Sequence, residues 1–229
     1  MRGHAQFYAA LLVGFSHGNV LCMSAEDSLS LEEATKALYR IFSFDPPSVI
    51  EGCPCCIEKK GVDVLLTTSL HALEGKDLWS YVSSLFYTVG NETDFRYLLP
   101  RIFELAAIYP AESNYPEVVL RKLGLAGWSD WTAKEQGAVE GFVAAWFEHT
   151  LKRDLTLTNQ GIETAEAEAI ICGGALAGMQ LRPFVNRLRQ FDVSQIKDLI
   201  ENRLAVGEES AFWADCPDAL REFRTLLGH

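Results

Sequence analysis

The sequence lacks an excess of basic residues. It has 20 Lys and Arg against 31 Asp and Glu, so its formal net charge is -11 over 229 residues. Phosphate backbones and anionic membrane surfaces repel such a chain, and the composition therefore disfavours nucleic acid and membranes as partners. A protein partner with a basic surface fits the charge better. The alternative is that the acidic surface only keeps the protein soluble.

The cysteines lack the regular spacing of a secreted disulfide framework. Three are isolated along the chain and three lie together in the run GCPCC. Reduced thiols, and hence a cytoplasmic protein, are the expectation from this usage. The isolated residues are Cys22, Cys172 and Cys216, and the clustered ones are Cys53, Cys55 and Cys56.

No apolar run is long enough to cross a bilayer as a helix. Residues 1–25 carry one arginine, a short apolar run and small residues near Ala25, which weakly imitates a secretion signal. We expect this segment to be an appendage to a single helical domain over residues 26–229. A start at Met23, which would place the first 22 residues outside the working protein, is an alternative.

Catalytic signatures are also missing. The sequence has no G-x-S-x-G, no phosphate-binding loop, no dinucleotide fingerprint and no H-E-x-x-H, and its histidines are scattered. No nucleophile, base and orienting group can be recognised together. The sequence therefore favours a non-enzymatic protein.

What the chain does contain is apolar residues at helical spacing. Residues 78–89 and 95–109 each carry an apolar stripe at three- and four-residue steps, and Gly90 separates them. Two such helices joined by a short polar turn are expected to form an antiparallel hairpin. The sequence thus predicts an all-α fold of helical hairpins, arranged as an irregular bundle or in an α-solenoid-like manner.

Helix starts and stops can be placed along most of the chain. Ser30 with Glu33 and Thr132 with Glu135 are capping-box signatures, and Ser194 is a candidate N-cap. The polar stretch 153–162 is expected to be a break that divides the domain. Further helices are predicted over 62–73, 115–126, 165–178 and 181–191, behind Thr132, and from Pro217 to the C-terminus.

The run GCPCC is the sharpest local motif. Cys53 and Cys56 have C-x-x-C spacing, which lets two thiolates bind one zinc ion or form a redox pair. A structural zinc site needs four ligands, and His71 or an isolated cysteine would have to supply the rest. The alternatives are a zinc site, a redox pair and small residues of an ordered loop.

The polar turn between the hairpin helices is a second candidate site. Arg96 and Arg101 are suited to clamping a carboxylate or phosphate, with Asp94 and Glu104 holding the guanidinium groups. Such a clamp would also suit an enzyme that acts on an anion. The alternative is a capped helix start with ion pairs that stabilise the hairpin.

A third candidate is the aromatic loop that contains Trp128, Asp130 and Trp131. Exposed tryptophans at such a position can anchor a protein partner. The alternative is that the indole rings fill gaps between helices.

The chain resembles a widespread group of uncharacterised bacterial helical proteins over roughly residues 30–150. The likeness rests on a C-P-x-C element, a phrase close to T-x-G-x-x-x-D-F-R-Y-x-L-P-R, and a later K-L-x-x-A-x-W. The resemblance implies a helical fold and assigns no chemistry. The matching positions are Cys53, Pro54, Cys56, Thr88, Gly90, Asp94, Phe95, Arg96, Tyr97, Leu99, Pro100, Arg101, Lys122, Leu123, Ala126 and Trp128.

These observations together predict an acidic binding protein. Its most specific form is an immunity protein that neutralises a bacterial toxin by covering the toxin's active site, since acidic surfaces speed the capture of basic partners. No cofactor is expected under this reading. The alternative function is a zinc- or thiol-dependent protein that uses Cys53 and Cys56.

Overall fold

A computed structural model describes residues 29–53 and 63–228 of the chain. In this part of the chain the prediction of an all-α fold is confirmed, because the residues form helices and no β-sheet. Short β-bridges join Val89 to Gly52 and to Leu85. The predicted appendage over residues 1–25 lies outside the described residues.

Among the described residues, the first half of the fold contains five α-helices and three single 3₁₀ turns. Capping boxes start α1 at Ser30 with Glu33 and α4 at Asn91 with Asp94. The α-helices are α1 (Leu31–Ile41), α2 (Asp63–Thr67), α3 (Gly75–Ser84), α4 (Glu92–Ile108) and α5 (Pro116–Leu125), and the turns are Leu70–Ala72, Pro110–Glu112 and Trp128–Asp130.

The second half begins with the longest helix of the described residues, which Thr132 and Glu135 cap as the sequence predicts. A π-helical segment, Lys197–Glu201, and a 3₁₀ helix, Ala211–Asp215, interrupt the later helices. These helices are α6 (Ala133–Asn159), α7 (Glu166–Leu176), α8 (Arg182–Leu188), α9 (Val193–Ile196), α10 (Asn202–Val206) and α11 (Pro217–Leu227).

Three local predictions were wrong. The helix predicted over residues 78–89 ends at Ser84, because Phe86 adopts a left-handed backbone with φ 66°. The break predicted over 153–162 is mostly helix, since α6 continues to Asn159. Asp192, rather than Ser194, caps α9, and its side chain accepts a hydrogen bond from the Ser194 backbone.

One hydrophobic core extends from Ala34 to Phe223. Helix α1 packs on α6, which lies about a hundred residues further along the chain, and α5 packs on α7, which in turn contacts α6. In a solenoid each repeat contacts only its neighbours in sequence. The packing of α1 on α6 is therefore that of an irregular bundle.

In the part of the chain that the structure describes, no helix is long and apolar enough to span a membrane.

Candidate protein-binding surface

Arg96, in the second turn of α4, lies between two aromatic side chains. The guanidinium carbon is 5.1 Å from the centre of the Phe44 ring and 5.2 Å from that of the Trp131 ring. Phe44 follows α1 and Trp131 precedes α6, so the stacking joins three elements. Two of the predicted site residues, Arg96 and Trp131, are thus in contact.

Two carboxylates hold the Arg96 guanidinium. Its Nη1 is 3.3 Å from Glu92 Oε1, and its Nη2 donates to Glu135 Oε1. Glu135 also closes the cap of α6, where it accepts from the Thr132 backbone N–H at 3.0 Å. Although burial opposes ionisation, the hydrogen bonds from Arg96 and Thr132 hold the pKa of Glu135 below its ordinary value.

Asp94 does not hold Arg96, contrary to the sequence prediction. Its carboxylate accepts from the Asn91 backbone N–H at 2.9 Å, which completes the cap of α4. The side chain is buried, and burial raises the pKa of Asp94 against the effect of the Asn91 hydrogen bond. Asp94 therefore stabilises the start of α4 from within the fold.

Arg101 lies in a separate polar cluster. Its Nε donates to the Leu73 carbonyl at 2.8 Å and its Nη1 to Glu104 Oε2 at 2.7 Å. The Tyr39 hydroxyl donates to the same Glu104 oxygen at 2.6 Å. Glu104 holds Arg101 as predicted, but Arg96 and Arg101 share no partner, so these contacts do not form the predicted two-arginine clamp.

The aromatic loop is divided between the core and the surface. Trp128 is buried and its indole N–H donates to the Ala177 carbonyl at 2.7 Å, which ties the loop to the end of α7. Trp131 is also buried, with its ring centre 5.7 Å from that of Phe42. Asp130 between them is exposed. The tryptophans fill gaps between helices, and the aspartate faces solvent.

Cys53 is exposed, and its backbone N–H donates to the Thr88 carbonyl at 2.9 Å. Cys56 lies outside the described residues, so the proposed C-x-x-C pair stays a prediction. Within the described ranges, no three His, Cys, Asp or Glu side chains are grouped in a way that would hold a metal ion.

Exposed carboxylates lie next in the chain to residues that contact Arg96. Phe44 is 42% exposed, and Asp45 beside it is exposed. Glu51 reaches the same end of the hairpin, since its carbonyl accepts from the Gly90 backbone N–H at 2.7 Å. We name the set the hairpin-end surface; it consists of Phe44, Asp45, Glu51, Glu92, Arg96 and Asp130.

Sequence reasoning missed a second polar group, in the C-terminal half. Glu168 Oε1 accepts from the Ser210 backbone N–H at 2.9 Å and from the Trp213 indole N–H at 2.8 Å. Glu117 Oε1 accepts from the Ser210 hydroxyl at 2.6 Å. Both glutamates are buried, and burial raises the pKa of each. We call these four residues the buried carboxylate cluster.

No local pattern in the sequence indicates this cluster, because its members come from three distant segments. Glu117 has the appearance of an ordinary acidic residue in the first turn of a helix, where it would be exposed.

Comparison of the chain with protein-family models, with curated proteins and with solved structures found no match.

Proposed function

We propose that this chain is a non-enzymatic acidic binding protein that captures a basic protein partner through the hairpin-end surface. An inhibitor of a bacterial toxin, which acts by covering the toxin's active site, is the most specific form of the proposal. The observation that supports it is the arrangement at Arg96. The guanidinium is already paired with Glu92 and Glu135, and exposed carboxylates follow or precede its stacking partners in the chain, Asp45 after Phe44 and Asp130 before Trp131.

The polar chemistry of this surface favours binding over catalysis. Arg96 is held by Glu92 and Glu135, so its charge is matched within the fold. Asp45 and Asp130 are exposed and have no cationic partner among the described residues. An approaching lysine or arginine therefore meets carboxylates that form no competing ion pair.

The surface also has the rigidity that a binding site needs. Two capping boxes hold the starts of α4 and α6, and Arg96 links these helices to Phe44 by stacking. Partly exposed aromatic rings beside charged groups are typical of the residues that dominate interface energies. Little conformational freedom is then lost when a partner binds.

The first step of the test is to isolate partners from the native cells and their secreted proteins. The association rate of a purified partner is then measured with the variant D45N/E51Q/E92Q/D130N. The matched control is E112Q/E163Q/E208Q/E222Q, which changes exposed carboxylates elsewhere. Each variant removes four negative charges, so the net charge changes from -11 to -7 in both.

We expect the hairpin-end variant to associate about tenfold more slowly than the wild-type protein, and the control to change by about twofold or less. Equal losses in the two variants would attribute the effect to net charge alone and would contradict the assigned surface. A partner that binds both variants as fast as the wild-type protein would contradict the proposal.

A further inference from the structure

Two of the isolated cysteines lie beside the buried carboxylate cluster. Cys172 is buried inside α7, and Cys216 lies between the 3₁₀ helix Ala211–Asp215 and α11. Cys216 is partly buried and packs against the core to which Cys172 belongs. Neither thiol is in a disulfide. The binding function proposed above uses neither residue.

The hydrogen bonds of the cluster bring the two cysteines together. Glu168 on α7 accepts from the Ser210 backbone N–H and from the Trp213 indole N–H, which fixes the 3₁₀ helix on α7. Cys172 follows Glu168 by four residues, so it lies one turn further along the same face of α7. Cys216 follows Trp213 by three residues, and its backbone N–H donates to the Trp213 carbonyl at 3.0 Å. The two thiols therefore face each other one turn beyond the Glu168 contact, where they interact.

The two thiols differ in their access to solvent. Cys172 is fully buried, whereas Cys216 has intermediate exposure. A small molecule in solution therefore reaches the sulfur of Cys216 and not that of Cys172. A group attached to Cys216, however, lies next to the Cys172 thiol. This order of access is that of an attacking cysteine followed by a resolving cysteine.

We propose that Cys172 and Cys216 are a redox modification site, which a low-molecular-weight disulfide such as glutathione disulfide converts to an intramolecular disulfide. The Cys216 thiolate attacks one sulfur of glutathione disulfide, forms a mixed disulfide and releases one glutathione thiolate. The Cys172 thiolate then attacks the Sγ of Cys216 and releases the second. The protein gives up two electrons and two protons, and the oxidant leaves as two molecules of glutathione thiol.

The disulfide joins α7 to the start of α11 and closes a loop over residues 172–216. A bond across a loop of this length restricts the unfolded chain strongly, so oxidation stabilises the C-terminal half of the fold. Burial raises the pKa of both thiols. Because the thiolate is the attacking species, the exchange is slow at neutral pH and accelerates as pH rises.

Oxidation of a chain that keeps only this thiol pair tests the proposal. In the full-length variant C22S/C53S/C55S/C56S, treatment with glutathione disulfide should remove two hydrogen atoms from the single-chain mass and leave no titratable thiol. Proteolysis should then release the Cys172 and Cys216 peptides as one disulfide-linked species. The Tm of the oxidised form should exceed that of the reduced form by about 5 °C or more, and dithiothreitol should reverse the shift. The same linked peptides should appear in the wild-type protein after the same treatment.

Single-cysteine controls in the same background separate the two steps. With Cys172→Ala added, the reaction should stop at the mixed disulfide, so the protein gains the mass of one glutathionyl group. With Cys216→Ala added, the protein should stay unmodified over the same time, because Cys172 is buried. A glutathionyl group on Cys172 in that variant would contradict the assigned order of attack.

Three results would overturn the proposal. The first is that no bond between Cys172 and Cys216 forms at any concentration of glutathione disulfide, in either the four-serine variant or the wild-type protein. The second is a bond that joins these cysteines between two chains and doubles the mass. The third is an intramolecular bond that lowers the Tm, since it would show that the folded protein has to be distorted to form it.

Discussion

The hairpin-end surface and the buried carboxylate cluster use acidic residues in opposite ways. At the hairpin end, Glu135 lies beside a guanidinium that holds its pKa down. In the cluster, Glu168 accepts from a backbone amide and an indole, and burial raises its pKa. The pairing with Arg96 favours the charged form of the buried Glu135, and the exposed carboxylates Asp45, Glu92 and Asp130 lie at solvent, whereas the cluster uses its carboxylates as buried acceptors that join distant segments. Only the exposed carboxylates are suited to attracting a partner.

The largest decrease in the free energy of unfolding is expected when the Glu168 carboxylate is removed. Glu168→Leu leaves the Ser210 amide and the Trp213 indole as buried donors without an acceptor. Each such donor costs about 1–3 kcal/mol, so we expect the free energy of unfolding to fall by about 4 kcal/mol in denaturant titrations. Glu163→Leu, at an exposed position, should change it by less than about 0.5 kcal/mol. Equal losses in the two variants would remove the distinction between the cluster and ordinary acidic positions.

A smaller effect is expected at the hairpin end. Arg96→Met keeps much of the packing against Phe44 and Trp131 but leaves Glu135, which is 5% exposed, without its cation. We expect a loss of about 2 kcal/mol in unfolding free energy, because a largely buried carboxylate loses its charged partner. Lys36→Met breaks an exposed ion pair with Glu32 and should cost about 0.5 kcal/mol or less. If the two variants lost equal stability, the Arg96 pair would be no more than a surface contact.

The pH dependence of stability should have opposite signs in the two regions. The raised pKa of Glu168 means that the folded protein holds its proton more tightly than the unfolded chain. The stabilisation that Glu168 contributes is therefore complete below its pKa in the unfolded chain, and it is lost as pH rises through its pKa in the folded protein. The pKa of Glu135 is lowered in the folded protein. The stabilisation that Glu135 contributes is therefore complete above its pKa in the unfolded chain, and it is lost as pH falls through its pKa in the folded protein.

Unfolding of the wild-type protein and of the variants Glu168→Gln and Glu135→Gln from about pH 8 to about pH 3 measures this contrast, because the Glu135 stabilisation is lost only below the pKa of the unfolded chain. The wild-type protein should gain stability relative to Glu168→Gln as pH falls, and should lose it relative to Glu135→Gln. Each difference can change by at most about 1.4 kcal/mol per pH unit. The same sign in both variants would contradict the opposite roles of the two carboxylates.

The smallest effect concerns a helix cap. Asn91→Ala removes the side chain that accepts from the Thr93 backbone at 2.8 Å and from the Asp94 backbone at 3.3 Å. We expect a loss of about 1 kcal/mol in thermal unfolding, and a much smaller loss for Asn91→Ser, which keeps a capping oxygen. If serine were as harmful as alanine, the cap would not be the source of the stability.

The two regions also differ in how far the sequence predicts them. The caps at Ser30 and Thr132 depend on residues three positions apart, so a local pattern is sufficient to find them. The contacts of Glu168 span 42 and 45 residues, and that of Glu117 spans 93. No period or motif links such positions, because the packing of α5 on α7 brings them together.

The errors at the hairpin have a similar cause. The apolar spacing predicts a helix that continues to residue 89. In the structure α3 ends at Ser84, and the turn after it forms backbone hydrogen bonds with residues 51–53. Those long-range bonds compete with the last helical turn. The pairing of Arg96 with Glu135, 39 residues away, escaped prediction for the same reason, whereas the nearer pairing of Arg101 with Glu104 was predicted.

The salt dependence of partner capture tests the proposed function most directly. The association rate of the wild-type protein with its purified partner is measured from low salt to about 0.5 M, where surface charges are screened beyond a few ångströms. Capture by the exposed carboxylates of the hairpin end predicts a fall of about tenfold or more across this range, and a much weaker dependence for D45N/E51Q/E92Q/D130N. A rate that does not change with salt would contradict electrostatic capture by this surface.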